Sequence, residues 1–486
     1  MPAQATTRRS FLRSITCLST LPLLYNINCM KPQSNKPLGN NKPNIIFILT
    51  DDLGYGDLGC YGQKYIQTPN IDKMAKEGML FRNHYAGNTV CAPSRCSLMT
   101  GLHQGHAYIR GNKPVEPMGQ LPIPADTKTI AKFLKTAGYK TGLIGKWGLG
   151  GPDSEGTPNK QGFDYFYGYL CQRHAHNYYP EFLFRNDKKV TIEGNKVKNS
   201  RADGSGQAIE KARYSHDLFV QESLQFIEQN KNQPFFLYMA LTIPHANNEA
   251  GDEGMEVPEY GPYAKKDWPD AEKGKAAMIS RMDKDVGRVL KKLRDLQLAE
   301  NTLVIFTSDN GPHSEGGVDP AFFNSSGPFR GIKRDLYEGG IHVPMIAWWP
   351  GKIKAGTTSK HVSAFWDFFP TACDIAGVKQ PKETDGISFL PVLTGKPQPE
   401  HEYLYWEFKL AEKGFLQAAR MGKWKAVRND INGPIELYDL ESDIGETRNV
   451  SQNNPELIAK VRSIFQQAHT ESKHEFWQMS PKYAKK

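Results

Sequence analysis

The sequence predicts an α/β protein: a large mixed, mostly parallel sheet covered by helices on both faces, plus a smaller C-terminal α+β domain with an antiparallel sheet. Three observations carry this. Apolar runs of strand length alternate along the chain with longer segments of helical periodicity, the pattern of a sheet buried on both faces. The charged and ligating residues fall just after the apolar runs, where such sheets place ligands. Past about residue 390 the runs give way to short segments that alternate apolar and polar residues, as antiparallel strands do.

Taken in order, "PNIIFILTDD" opens the folded part with five apolar residues, Ile45–Leu49, a buried strand. "NIDKMAKEG" reads as a helix with Asn70 as N-cap and Gly78 closing it. "TKTIAKFLKTAGY" is a second helix with Ile130, Phe133 and Leu134 on one face, and "KTGLIG" is a short strand. "YSHDLFVQESLQFIEQN" is helical and "PFFLYMALTIP" is a continuous apolar strand. In "KAAMISRMDKDVGRVLKKLRDL", Met278, Met282, Val286, Val289, Leu290 and Leu293 recur at helical steps. "TLVIFTS" is the next strand. "YLYWEF", "FLQAARMGKWKAVR" and "IELYDL" are the C-terminal strands, and "NPELIAKVRSIFQQAHTES" is a closing helix. This gives a main domain over residues 42–390 and a smaller one over 391–486.

The N-terminal segment has its own character. "TTRRSFLRS" sets Arg8 and Arg9 before a modest apolar stretch, "ITCLSTLPLLYNI", so residues 1–31 resemble a twin-arginine export signal. This implies a periplasmic or cell-surface protein. Cys29 is a candidate lipid-attachment cysteine, although "YNINC" lacks the usual small residue before it. Residues 32–41 are a polar linker rich in Pro and Asn. The formal net charge is +9, and Arg8, Arg9, Arg13 and Lys31 supply four of those charges with no acid among them. No basic block is dense enough for nucleic acid, and no apolar run is long enough to span a bilayer. Without residues 1–31, five of the seven cysteines remain, and their spacing is not that of a zinc site.

Four strand ends deliver polar groups toward one edge. Asp51 and Asp52 follow "IIFILT", Lys146 follows "TGLIG", His245 follows "FFLYMALTIP", and Asp309 and Asn310 follow "TLVIFTS". Asp51, Asp52, Asp309 and Asn310 are all oxygen donors, which suit calcium or magnesium and disfavour zinc or copper. Arg95, Lys146, Lys333 and His245 are cationic or can become so. A divalent ion and several cations around one point hold a tetrahedral oxyanion, so the substrate class is an ester of sulfate or phosphate. In "TVCAPSRCSLMTG", Cys91 and Cys96 are a local disulfide, two small buried residues, or a pair in which Cys91 is the reactive atom and Arg95 holds an anion against it.

"CAPSRCSLMTG" resembles the signature of the type I sulfatases, C-x-P-S-R-x-x-x-[L/M]-T-G, within the alkaline phosphatase-like superfamily. "ILTDDLGYGDLGCYG", "GLIGKWGLG", "LTIPHAN", "TSDNGPH", "FRGIKRDLYEGGIHVP" and "ELYDLESDIGETRNV" resemble further blocks of that family in the same order. The resemblance implies that a maturing enzyme oxidises Cys91 to formylglycine. It implies calcium, with magnesium as the alternative, held by Asp51, Asp52, Asp309, Asn310 and the modified Cys91. The aldehyde hydrate then attacks sulfur, expels the alcohol, and releases sulfate by losing its second proton. Arg95 assists the nucleophile, Lys146 and Lys333 bind sulfate oxygens, and His245 is the general acid. Ser94 is structural. One departure stands out: the family usually reads G-K-W-H-L-G, and here Gly148 takes the place of the histidine.

For the leaving group, "LCQRHAHNYYP" gathers Arg173, His174, His176, Tyr178 and Tyr179 in one stretch suited to a sugar. His176, ahead of His174, is the candidate to stand in for the missing histidine. His313, Asp319, His106 and Arg110 are further sugar-binding candidates. The reading is a sulfuric ester hydrolase acting on a sulfated carbohydrate. The alternatives are a phosphate or phosphonate monoesterase on the same scaffold, which would bring two zinc ions and several histidine ligands, and a non-catalytic binder of sulfated glycans.

Overall fold

The computed structural model describes residues 42–410 and 414–478. The expected export signal over 1–31, with Cys17 and Cys29, and the expected linker over 32–41 lie outside the described residues. The strands are β1 Asn44–Thr50, β2 Met79–Tyr85, β3 Lys140–Lys146, β4 Tyr165–Tyr169, β5 Phe182–Arg185, β6 Lys188–Thr191, β7 Asn195–Lys198, β8 Gln207–Lys211, β9 Phe235–Ala240, β10 Thr302–Ser308, β11 His342–Trp348, β12 Thr357–Ala364, β13 Leu404–Leu410, β14 Gly414–Met421, β15 Trp424–Arg428 and β16 Glu436–Asp439. The helices are α1 Pro69–Glu77, α2 Cys91–Thr100, α3 Ile130–Thr136, α4 Ser215–Gln229, α5 Asp270–Asp295, α6 Glu338–Ile341, α7 Phe368–Ala376, α8 Leu390–Leu393 and α9 Pro455–Gln467, with short 3₁₀ turns between them.

Ten strands form one sheet in the order β12-β2-β11-β10-β1-β9-β3-β4-β5-β6. Its central strands β10, β1, β9, β3 and β4 are mutually parallel, while β11 and β5 run against their neighbours. The alternation of side chains along β1 explains why both faces need helices. Ile45, Phe47 and Leu49 enter one core with residues of α2, α3 and α7. Ile46 and Ile48 enter the other with residues of α1, α4 and α5. The α5 residues Met278, Met282, Val286, Val289, Leu290 and Leu293 all lie in that second core, as their spacing predicts.

Some local expectations shift. The first helix begins at Pro69 with Thr68 as N-cap, so Asn70 is inside the first turn. There its side-chain amide and backbone N–H both bond Asp283 Oδ2, at 2.7 and 3.2 Å. The strand expected through Pro244 ends at Ala240, because the chain must turn there to bring His245 back over the sheet edge. β11 lies in the sheet interior although it carries Pro344, and a register shift between Val343 and Met345 absorbs the lost donor. β12 is a half-exposed edge strand, and its polar sequence reflects that.

The expected C-terminal sheet is present, in the order β13-β14-β15-β16 with antiparallel pairing throughout. One face packs on Tyr85, Trp366 and Ile341 of the large layer, and the other on Val461, Ile464 and Phe465 of α9. A buried polar knot crosses the first of these contacts. Glu338 accepts from Lys425 Nζ at 2.9 Å, from Tyr85 Oη at 2.5 Å, and pairs with His342 Nδ1 at 2.8 Å. Burial alone would raise the Glu338 carboxyl, but Lys425 and His342 hold it far below the usual carboxylate range. Lys425→Met should therefore remove the lysine that offsets this buried carboxylate and destabilise the protein by about 3 kcal/mol. Urea unfolding of the two proteins measures this; equal midpoints would show that the knot does not tie the layers together.

Candidate active site

The parallel strands deliver their carboxyl ends to one edge, and the chemistry-bearing residues gather there. Asp51 and Asp52 leave β1, and Asp52 turns sharply at a φ of 65°. Asp309 leaves the neighbouring β10, its N–H bonded to Thr50 O at 3.0 Å, while its Oδ1 accepts from Asp52 N at 3.2 Å. Asn310 Nδ2 donates to Asp52 Oδ1 at 2.6 Å. Three buried acids and an amide are thus pressed together.

Cations from three other places neutralise them. Lys146, the last residue of β3, donates to Asp51 Oδ2 at 2.6 Å. Arg95, one turn into α2, donates from Nε and Nη2 to Asp309 Oδ2 at 3.1 and 2.8 Å, and from Nη1 to Lys146 O at 2.8 Å. Lys333 donates to Asp52 Oδ2 at 2.8 Å and to Glu315 Oε2 at 2.9 Å. Burial opposes ionisation of Asp52, but Lys333 outweighs it and holds the carboxyl at about 2. Asp309 has the opposite fate: burial first, then Asp51 beside it, pushes it up to about 7.

Two oxygens in this group are spare. Asp51 Oδ1 and Asn310 Oδ1 are buried with no hydrogen-bond partner. Buried oxygens without a donor are costly, and here they sit beside ionised carboxylates, the donor set of a hard cation. The residues present therefore fit a calcium or magnesium ion.

His245 stands over the cluster with its Nε2 3.0 Å from Lys333 Nζ and 3.4 Å from Asp52 Oδ2. Its Nδ1 lies 2.6 Å from Ala246 O, which requires the proton on Nδ1 and leaves Nε2 as an acceptor toward Lys333. Burial and the adjacent Lys333 keep the ring neutral. Tyr178, fully buried, supports this loop by donating to Thr242 O at 3.0 Å and to His245 O.

Cys91 is the first residue of α2, at the positive end of the helix. It and Cys96 are free thiols, as are Cys60, Cys171 and Cys373, so the local disulfide is ruled out and Cys96 is a core residue. Burial pushes the Cys91 thiol up, and Lys146 does not reverse the shift, so it is not a poised thiolate. Ser94 is structural: its hydroxyl donates to Asp309 O at 2.6 Å and accepts from Gly87 N at 3.1 Å.

The sugar-binding candidates divide. His176 reaches the site, stacked on His245 with ring centroids 4.7 Å apart and its Nδ1 3.1 Å from Glu249 Oε2. His174 does not; it is fully buried against Tyr169 and Phe182, because the 3₁₀ turn at 174–176 sends the two rings opposite ways. Tyr179 is likewise buried, its ring against Tyr214. Arg173 is spent on Glu116 and Asp203, at 2.8 Å each. His313 lies under His245, but Pro244 O takes one ring nitrogen at 3.0 Å and Glu315 N the other at 3.1 Å. Arg110 is buried with its donors on Ala107 O, Glu407 and Gly105 O. His106 pairs with Asp385, whose N–H bonds Gly101 O at 2.9 Å just past the C-terminal end of α2, the end away from Cys91. Asp319 is exposed and caps a turn through Ala321 N at 2.9 Å.

The structure also shows what stands at Gly148. A Cβ built there would lie 1.8 Å from Gln172 Nε2, so the Gln172 carboxamide occupies the start of any side chain at 148. Glu315, Asn112 and Gln172 are site residues that carry no marker in a single sequence, since each stands in a loop among other polar residues.

Buried cations facing an oxygen-donor cluster at a helix N-terminus suit a hydrolase for esters of tetrahedral oxyacids. Comparison with known proteins narrows the class. The model of the Sulfatase family matches residues 43–378, and that of the N-sulphoglucosamine sulphohydrolase C-terminal region matches residues 330–473. The chain is 34% identical over 403 residues to the N-acetylgalactosamine-6-sulfatase of Sus scrofa, covering 79% of this chain and 71% of that one. It is 29% identical to the N-acetylgalactosamine-6-O-sulfatase of Bacteroides thetaiotaomicron, covering 94% and 99%. The solved structure of Ps i-CgsB in complex with k-i-k-neocarrahexaose superimposes with a TM-score of 0.74 at 29% identity, covering 91% of this chain and 96% of that one. The chain belongs to the sulfatase family and is a sulfuric ester hydrolase.

The Gly148–Gln172 contact generates a test. Gly148→Ala forces a clash at a residue whose φ is +78°, and should cost about 1–3 kcal/mol. Adding Gln172→Ala should recover the steric part of that loss. Urea denaturation of the single and double variants checks it, and no recovery would mean that Gln172 is not what fills the notch.

Proposed function

We propose that this sulfatase releases sulfate from a sulfated carbohydrate through a formylglycine made from Cys91, with a calcium ion held by Asp51, Asp52, Asp309, Asn310 and residue 91. The observation that carries this is the pair of partnerless buried oxygens, Asp51 Oδ1 and Asn310 Oδ1, beside the cations Arg95, Lys146 and Lys333. Maturation converts CH₂–SH to an aldehyde: water supplies the oxygen, sulfide leaves, and two electrons pass to an oxidant of the maturing enzyme. The aldehyde, as its hydrate, supplies a nucleophilic hydroxyl and a route for product release that a thiol lacks. When bound, calcium supplies positive charge to polarise sulfate oxygens.

The chain's own residues supply the rest. Lys146 and Lys333 hold sulfate oxygens, each fixed beforehand by a carboxylate. Arg95 keeps Asp309 and the β3 end in register with α2. His245 is neutral without substrate, and a sulfate ester arriving against Nε2 favours its protonated form, so that it can donate to the leaving oxygen. A two-zinc phosphatase would need several histidine ligands here, and the site has two, His245 with only Nε2 open and His313 with both ring nitrogens hydrogen-bonded.

The carbohydrate class rests on the relatives named for N-acetylgalactosamine 6-sulfate and on the relative solved with a neocarrahexaose. His176, with Glu249 behind it, is the nearest candidate contact for the sugar. Export through residues 1–31 completes the reading and brings the enzyme to extracellular polysaccharide.

Cys91→Ala should abolish turnover of aryl sulfates without changing the unfolding free energy by more than about 1 kcal/mol, since the residue sits at a helix start. Near-normal hydrolysis by this variant would refute the nucleophile. Chelation should remove activity and calcium restore it. Because Asp309 sits near 7 in the metal-free cluster, a proton competes with the metal, and calcium affinity should rise as pH passes upward through 7. Calorimetric titration at pH 6 and 8 measures this; affinity independent of pH would exclude Asp309 from the site.

A further inference from the structure

Among the described residues, one side chain is in hydrogen-bonding contact with the Cys91 thiol. Asn112 Nδ2 lies 3.5 Å from Sγ, while Asn112 Oδ1 accepts the N–H of Ala92 at 3.2 Å. That N–H belongs to the first turn of α2, which has no intrahelical acceptor for it. The carboxamide is therefore oriented: its oxygen faces the helix N-terminus, where the Cys91 thiol also reaches it at 3.9 Å, and its NH₂ is the group nearer to Sγ.

Asn112 itself is exposed, but the residues on either side of it are fixed. Gly111 before it leaves no room for a Cβ, which would meet the Trp477 ring at 2.8 Å. Arg110 is clamped by Glu407 of β13 at 2.7 Å, and its carbonyl accepts from Lys409 N at 3.5 Å. After it, Lys113 O accepts from Leu121 N at 2.9 Å and closes a tight hairpin. The C-terminal sheet thus presents Asn112 to the N-terminus of α2.

The other charged groups of the site have partners of their own. Gln172 fills the notch at Gly148, and His176 stacks on His245. Arg95, Lys146 and Lys333 are each committed to a carboxylate. We infer that Asn112 is a catalytic residue: its amide donates to the oxygen that residue 91 carries after conversion and holds that oxygen toward the sulfur of the bound ester. This rests on the formylglycine reading. A neutral donor suits the position, because it stabilises charge developing on that oxygen without adding to the cations already there.

The test uses Asn112→Ala and the isosteric Asn112→Asp, both produced in a host that converts Cys91. Aldehyde content is read by mass spectrometry, and kcat on a small aryl sulfate is expressed per mole of aldehyde. Loss of one such donor should lower kcat by about a hundredfold with KM little changed. An aminooxy probe should label the aldehyde of both variants several-fold faster than that of wild type, since the hydrate loses its donor. Asn112→Asp keeps the shape and removes the donor, so it should be as slow as Asn112→Ala, which a packing role would not produce. If the Asp variant matches wild type within about twofold in both kcat and labelling, the inference is overturned. If wild type carries no aldehyde, or carries it and turns over no sulfate ester, the formylglycine reading falls and takes this inference with it.

Discussion

Three carboxylates buried side by side set the terms for the rest of the molecule. Asp51, Asp52 and Asp309 have no exposure, and unpaired they would be prohibitively costly. Their compensation comes from α2, from the end of β3, and from the loop that carries Lys333. Bringing three cations to one point fixes where α2 begins, and that is why Cys91 stands at the cluster. The ion pairs join β1, β3, β10 and α2, so the site is complete only when all four are in register. Such buried charge is weakly stabilising at best, so its presence speaks for chemistry.

A second polar layer connects the C-terminal sheet to this arrangement. Lys425 reaches Glu338 at the start of α6, and Glu407 reaches Arg110, two residues before Asn112. Both links are buried, and each ties the smaller sheet to a segment packed on the larger one. The smaller sheet is therefore a brace: it sets the segment that touches the N-terminus of α2, where a freely hinged module would leave that contact to chance.

Much of this was legible in the residues. The apolar runs mark β1, β3, β9 and β10, and the polar residues after them mark the site edge, because burial on both faces leaves a strand no polar positions except at its end. The cysteine, arginine and acid blocks mark the family. What stayed hidden depended on neighbours far along the chain. β11 contains a proline that a bulge absorbs, and β12 is polar because it is an edge. His174 and His176 are near-identical in sequence, yet a single 3₁₀ turn sends one into the core and the other onto His245. Arg110 and His313 look like ligand residues, but internal partners consume them. The filling of Gly148 by Gln172 could not be foreseen, since that contact joins the ends of two adjacent strands.

The central claim is that residue 91 works as an aldehyde within this charge-balanced cluster. Mass spectrometry of the peptide spanning Cys91, taken from active enzyme isolated from its native host, tests it most directly. The account predicts an aldehyde in place of the thiol in the catalytically competent fraction. A fully active enzyme whose Cys91 is an unmodified thiol would contradict it.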